Sequence, residues 1–112
     1  MVVRALAAEE ALAAEGIDVE VLDLRSIVPL DRAAIFASAR KTGRLVALDE
    51  ASATCSIASE IIALVAEEGI ALKVPPVRVA RPDVPVGYSP PIEDYVTPNV
   101  DRIKEGIRRA VK

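Results

Sequence analysis

The chain has no histidine. That removes the commonest general base at neutral pH and the commonest nitrogen ligand for metals. A single cysteine, Cys55, is too few for an internal disulfide or for a structural zinc site, which needs several Cys or His ligands. Aromatic side chains are almost missing: Phe36, Tyr88 and Tyr95 are the full set. They cannot form a stacking platform for single-stranded nucleic acid, and a net charge of −3 disfavours a polyanionic partner. No apolar run approaches the roughly 18 residues of a membrane span, and the opening MVVRALAAEE lacks the hydrophobic stretch of a signal peptide. These absences predict a soluble, cytoplasmic protein with no nucleic-acid and no membrane partner.

What is present is aliphatic. The 112 residues are 52% hydrophobic, enough for one domain spanning residues 1–112 with a core of Ala, Leu, Ile and Val. A domain of this size buries only about two-thirds of its unfolded surface. Residues 2–15 are strong helix formers closed by Gly16, and Val3, Leu6 and Ala13 share a face with Glu10, which predicts a half-buried helix. Residues 19–25, VEVLDLR, read as a strand. Asp31 is placed to cap a helix running to about Lys41 with Gly43 at its end. Residues 44–49, RLVALD, then read as a strand covered on both faces.

After the loop ASATCS, Ile57, Ala58, Ile61, Leu64 and Val65 form an amphipathic helical stripe that ends near Gly69. Residues 77–80, VRVA, are a third predicted strand. Pro82, Pro85, Pro90 and Pro91 predict an irregular segment up to about Thr97. Thr97 before Pro98 then predicts the start of a last helix buried through Val100, Ile103, Ile107, Ala110 and Val111. Right-handed crossovers make the strands parallel. The predicted fold class is α/β: a three-layer open, mainly parallel sheet with helices on both faces and three clear strands.

Four groups of residues carry candidate chemistry. Asp23 and Arg25, with Asp49 and Glu50, fall at the carboxyl ends of predicted strands, where open α/β sheets place ligands. Two carboxylates there would form an acid–base pair, or else an Asp–Arg ion pair and a loop-capping carboxylate. Cys55 precedes a helix start, where thiol acidity rises, but no base accompanies it, and Ser56 or Thr54 reads as a helix cap. Lys104, Arg108 and Lys112 form a basic row that reads as a solvated face. The segment 81–94 is a long proline-rich connection of the kind that tends to be functional. It sets Tyr88, Ile92, Glu93, Asp94 and Tyr95 among rigid prolines, an apolar and acidic surface suited to a protein partner or to packing over the sheet edge.

Three stretches, GIDVEVLDLRSIVPLD at 16–31, KTGRLVALDE at 41–50 and RPDVPVGYSPPIED at 81–94, resemble the carboxy-terminal domain of the transketolase-like enzymes. The likeness is strongest to the β subunit of the thiamine-diphosphate-dependent 2-oxo acid dehydrogenases of the pyruvate, branched-chain and acetoin type. The resemblance implies a non-catalytic assembly and interaction domain, which supports subunit association and docking to the acyltransferase core. It implies as partners the other dehydrogenase subunits and the acyltransferase subunit-binding domain. Thiamine diphosphate and magnesium belong to the parent enzymes, and this chain alone is expected to bind neither, to hold no metal and to contribute no catalytic residue. Joined to its other domains it would be part of an oxidoreductase.

The family's domain opens with an extended segment and a central strand before its first helix, whereas here Met1 falls almost at that helix. The chain is therefore expected to be either a truncated domain or an independent small α/β protein. In the second case it would be a homo-oligomer or an enzyme using Asp23, Asp49 or Glu50. The absent strand belongs between the counterparts of 19–25 and 44–49. The remaining strands must close up, or another copy must supply the pairing.

Overall fold

A computed structural model describes residues 1–112. Its element order is α1 (Val2–Ala13), α2 (Arg32–Thr42), β1 (Val46–Ser52), α3 (Ile57–Glu67), β2 (Val77–Arg81), α4 (Pro90–Val96) and α5 (Val100–Val111). No helix is long and apolar enough to cross a membrane. β1 and β2 pair in parallel with Val46 opposite Val77 and Leu48 opposite Val79, and an irregularity follows before Ser52 meets Arg81. The architecture is the expected α/β arrangement, with helices on both faces of a parallel sheet.

Local sequence explains most helix ends. The Asp31 carboxylate accepts from the Ala34 amide at 3.0 Å and starts α2, and Gly43 closes it in the left-handed conformation. Ser56 caps α3 by accepting from the Ser59 amide. α5 starts two residues later than the Thr97–Pro98 pair predicts, because the Asn99 side chain accepts from the Arg102 amide at 2.9 Å and Pro98 is fully buried instead. The prolines at 90 and 91 do not exclude regular structure as expected. They occupy the first turn of α4, where a missing amide costs nothing.

Two apolar clusters cover the two faces. On one side Ala8 and Leu12 of α1 and Ile103, Ile107 and Ala110 of α5 pack on Val77 and Val79. On the other, Ile35 and Ala39 of α2 meet Ile61 and Val65 of α3. The buried face of α1 is therefore not the predicted one: Val3 is 81% and Leu6 49% exposed, because the Ala8–Leu12 stripe fits closer to the small residues of α5. At Gly106 α5 lies so near the sheet that an added Cβ would meet Val79 Cγ2 at 2.4 Å.

The first predicted strand, residues 19–25, is not a strand. Residues 18–23 make no backbone–backbone hydrogen bond, although their burial still alternates, half-buried at Val19 and Val21 and exposed at Asp18, Glu20 and Leu22. Ile17 and Val19 pack on the α1–α5 cluster and Leu24 on the α2–α3 cluster. The segment thus keeps the two-residue period of a strand without a neighbour to pair with. Glu20 bonds to Lys41 of α2 and so fastens the segment there, which lowers the pKa of Glu20 and raises that of Lys41. Between this segment and β1 lies a cleft of about 450 Å³. The sheet has not closed up.

Gly106→Ala should lower stability by up to about 2 kcal/mol. Overpacking against the stiff Val79 costs roughly 1–3 kcal/mol and outweighs a helix-propensity gain of about 1 kcal/mol. Urea unfolding of the two proteins measures the difference.

Candidate functional site

The carboxyl ends of β1 and β2 and the segment that follows β2 form one tied assembly. The guanidinium of Arg81 donates to the Ser52 hydroxyl at 3.0 Å and also to the Val84 carbonyl, so it bridges the end of β1 and the turn after β2. Asp83 accepts from both the amide (3.1 Å) and the hydroxyl of Thr54. These bonds, helped by Arg78 and Arg81 nearby, hold the Asp83 carboxyl below the ordinary aspartate range. The loops at 53–56 and 82–84 are thereby clamped together.

Two further arginines fix α4. Arg102 of α5 donates to the carbonyls of Val96 at 3.0 Å and Ala80 at 2.9 Å, linking the end of α4 to β2. Arg4 of α1 donates to the Pro98 carbonyl at 2.8 Å and lies 3.7 Å from the Asp94 carboxylate. Val96 is 5% exposed and anchors the helix in the core. The chain before α4 folds back on it: Gly87 sits so close to Ile92 that a Cβ would meet Ile92 Cγ2 at 2.6 Å.

What this framework presents outward is apolar and acidic. Tyr88 is fully exposed, Tyr95 is 82% exposed, and Ile92 and Tyr95 lie one helical turn apart on α4. Glu93 and Asp94 are exposed beside them, with Asp94 leaning toward Arg4. Five of the twelve exposed large hydrophobic side chains, Val84, Val86, Tyr88, Ile92 and Tyr95, fall in this one segment. All five candidate partner-binding residues therefore share one fastened segment. Sequence reasoning missed Arg4, Arg81 and Arg102, because an arginine that bonds distant carbonyls leaves no local pattern.

The other candidates have ordinary surroundings. Asp23 is paired with Arg25, whose Nε lies 3.2 Å away. Asp49 accepts from the Ala51 amide at 3.0 Å, as a loop-capping carboxylate would, while its second oxygen is buried without a partner, as is Arg81 Nε on the neighbouring strand. Cys55 is an exposed free thiol in the turn before α3, with positive φ. In the basic row, Arg108 bonds Glu15 at the end of α1 and Lys104 lies 2.8 Å from Asp101.

Comparison with known proteins places this arrangement. Residues 1–103 match the family model described as transketolase, C-terminal domain. The acetoin:2,6-dichlorophenolindophenol oxidoreductase subunit beta of Bacillus subtilis is 49% identical over 100 residues, covering 88% of this chain and 29% of that protein. The mitochondrial pyruvate dehydrogenase E1 component subunit beta-1 of Arabidopsis thaliana is 46% identical over 98% of this chain and 31% of its own length. A solved structure described as a split gene transketolase, inactive beta4 tetramer, superposes with a TM-score of 0.85 at 30% identity, over 98% of this chain and 36% of that one. The chain spans about a third of the length of the curated relatives it matches.

Two outcomes test the clamp geometry. Arg102→Ala leaves the Val96 and Ala80 carbonyls without their donor; it should cost about 1–3 kcal/mol and speed amide exchange in α4 more than in α3. Asp83 has a folded-state pKa below its unfolded value, so its contribution is fully present above the unfolded pKa and is lost as pH falls through the folded one. Unfolding midpoints measured from pH 7 downward should fall less steeply below about pH 4 in Asp83→Asn than in the native chain.

Proposed function

The chain belongs to the transketolase C-terminal domain family, and from that membership we propose that it is an assembly domain of a 2-oxo acid dehydrogenase β subunit, made for protein association rather than for chemistry. The observation that carries this reading is the surface of Tyr88, Ile92, Glu93, Asp94 and Tyr95. Exposed apolar side chains concentrated in one segment mark interaction sites, and aromatic anchors lose little entropy on binding. Here the backbone beneath them is already held by Arg4, Arg81 and Arg102, so little ordering remains to oppose association. The acidic pair Glu93 and Asp94 favours a basic partner surface.

The partners in this reading are the other dehydrogenase subunits and the subunit-binding domain of the acyltransferase core. The names of the relatives, each a subunit beta, support it. A cytoplasmic location belongs to the same reading for a bacterial-type enzyme, whereas the Arabidopsis relative is named mitochondrial. In this reading thiamine diphosphate and magnesium are held by the other parts of the parent enzyme. No catalytic step is assigned to these residues; oxidoreductase activity would be that of the joined enzyme.

Light scattering coupled to size exclusion tests the proposal with the chain alone and mixed with a dehydrogenase acyltransferase subunit-binding domain. A stoichiometric complex is expected. Tyr88→Ala and Tyr95→Ala should each weaken it roughly tenfold while leaving the fold unchanged. Absence of a complex, or undiminished binding by the double variant, overturns the assignment. A stable self-associated species without a complex points to an independent homo-oligomer.

A further inference from the structure

We infer that Thr54 and Asp83 are positioning residues for the Tyr88 half of the partner surface: the latch between them fixes the start of the strip on which Tyr88 is carried. The inference rests on the proposed partner-binding role and gives a part in it to two residues outside the surface itself.

The need for a latch follows from the backbone. Residues 85–88 make no backbone–backbone hydrogen bond. Pro82 and Pro85 have no amide to donate, although their fixed φ keeps the strip stiff. Such a strip is placed by whatever holds its two ends. Downstream, Gly87 lies against Ile92 of α4, and α4 is fastened by Arg102 and Arg4. Upstream there are two ties: Arg81 donates to the Val84 carbonyl, and Asp83 accepts from Thr54.

The latch has a firm base. The Ala53 amide donates to the Arg81 carbonyl at 2.8 Å, and the Ala53 carbonyl accepts from the Ser59 hydroxyl of α3 at 3.2 Å. Thr54 is thus presented from the end of the ladder and the start of α3. Its hydroxyl is free for this task because Ser56 caps the helix. One oxygen of Asp83 accepts from the Thr54 amide at 3.1 Å and the other from the Thr54 hydroxyl, so direction is fixed as well as distance. Both bonds are charge-assisted, the stronger kind. Arg81 is no substitute, since it holds a single carbonyl of the strip and shares its guanidinium with Ser52.

A segment ordered before the encounter binds without the entropy cost of ordering it then. Opening the latch leaves Tyr88 on a strip held firmly at one end only, and its ring then contributes less to a complex. Tyr95 keeps its place, because it stands on α4, which Arg102 and the buried Val96 hold without the latch. The two tyrosines should therefore respond differently to one distant change. Thr54 is the residue to change, since replacing Asp83 would also alter the charge that faces a basic partner.

A double-mutant cycle tests this by calorimetric titration of the full chain with the subunit-binding domain of a dehydrogenase acyltransferase. In the native background Tyr88→Ala and Tyr95→Ala each weaken the complex roughly tenfold. In the Thr54→Val background Tyr88→Ala is expected to weaken it less than about threefold and Tyr95→Ala still about tenfold, whereas Thr54→Ser should behave as the native chain. In the free chain, backbone amide relaxation should show the order parameters of Val86, Gly87 and Tyr88 falling from about 0.85 towards about 0.6 in Thr54→Val, with Tyr95 unchanged. A tenfold effect of Tyr88→Ala in both backgrounds overturns the positioning role while the partner assignment stands, and unchanged order parameters do the same. If the native chain forms no complex, the partner assignment is overturned and the positioning role falls with it.

Discussion

A parallel ladder of two strands cannot stand by itself. β1 and β2 share one set of hydrogen bonds, parallel pairing is slightly weaker per residue than antiparallel, and an isolated pair of strands is marginal in water. The pair persists here because both of its faces are covered, by α5 backed by α1 on one side and by α3 backed by α2 on the other. Burial of aliphatic area, rather than backbone pairing, supplies the stability. Close approach follows from that need: Gly106 lets α5 settle on Val79 where any side chain would hold it off.

The helices covering the ladder also place the surface proposed for partner binding. Arg102 reaches from α5 to the carbonyls of Val96 and Ala80, and Arg4 reaches from α1 to that of Pro98. Guanidinium forks suit this task, since each offers several donors in a rigid geometry to carbonyls on different elements. The segment between β2 and α5 is therefore a supported platform rather than a slack connection, and Tyr88, Ile92 and Tyr95 are displayed from it.

Much of this was legible along the chain because it depends on near neighbours. Asp31, Gly43 and Ser56 mark helix ends through contacts within a few residues, and the stripes of α3 and α5 follow from helical period alone. The sites of both paired strands could be read from short apolar runs. The candidate surface at Tyr88, Ile92, Glu93, Asp94 and Tyr95 was visible as a cluster of exposed-type residues among prolines. Its helix was not, because prolines that break a helix interior are indistinguishable in a simple count from prolines that begin one.

The sequence by itself determined where α2 begins and ends and where α3 begins, which faces of α3 and α5 are apolar, and that no histidine-based chemistry is available, since each depends on residue type and local spacing. Only the tertiary structure decided whether VEVLDLR becomes a strand. A strand exists through its neighbour's hydrogen bonds, and residues 18–23 have the alternation but not the neighbour. Which side of α1 is buried, and which arginines hold the partner-binding segment, were likewise settled by elements far apart in sequence, because packing and long-range hydrogen bonds leave no periodic trace in the chain that makes them.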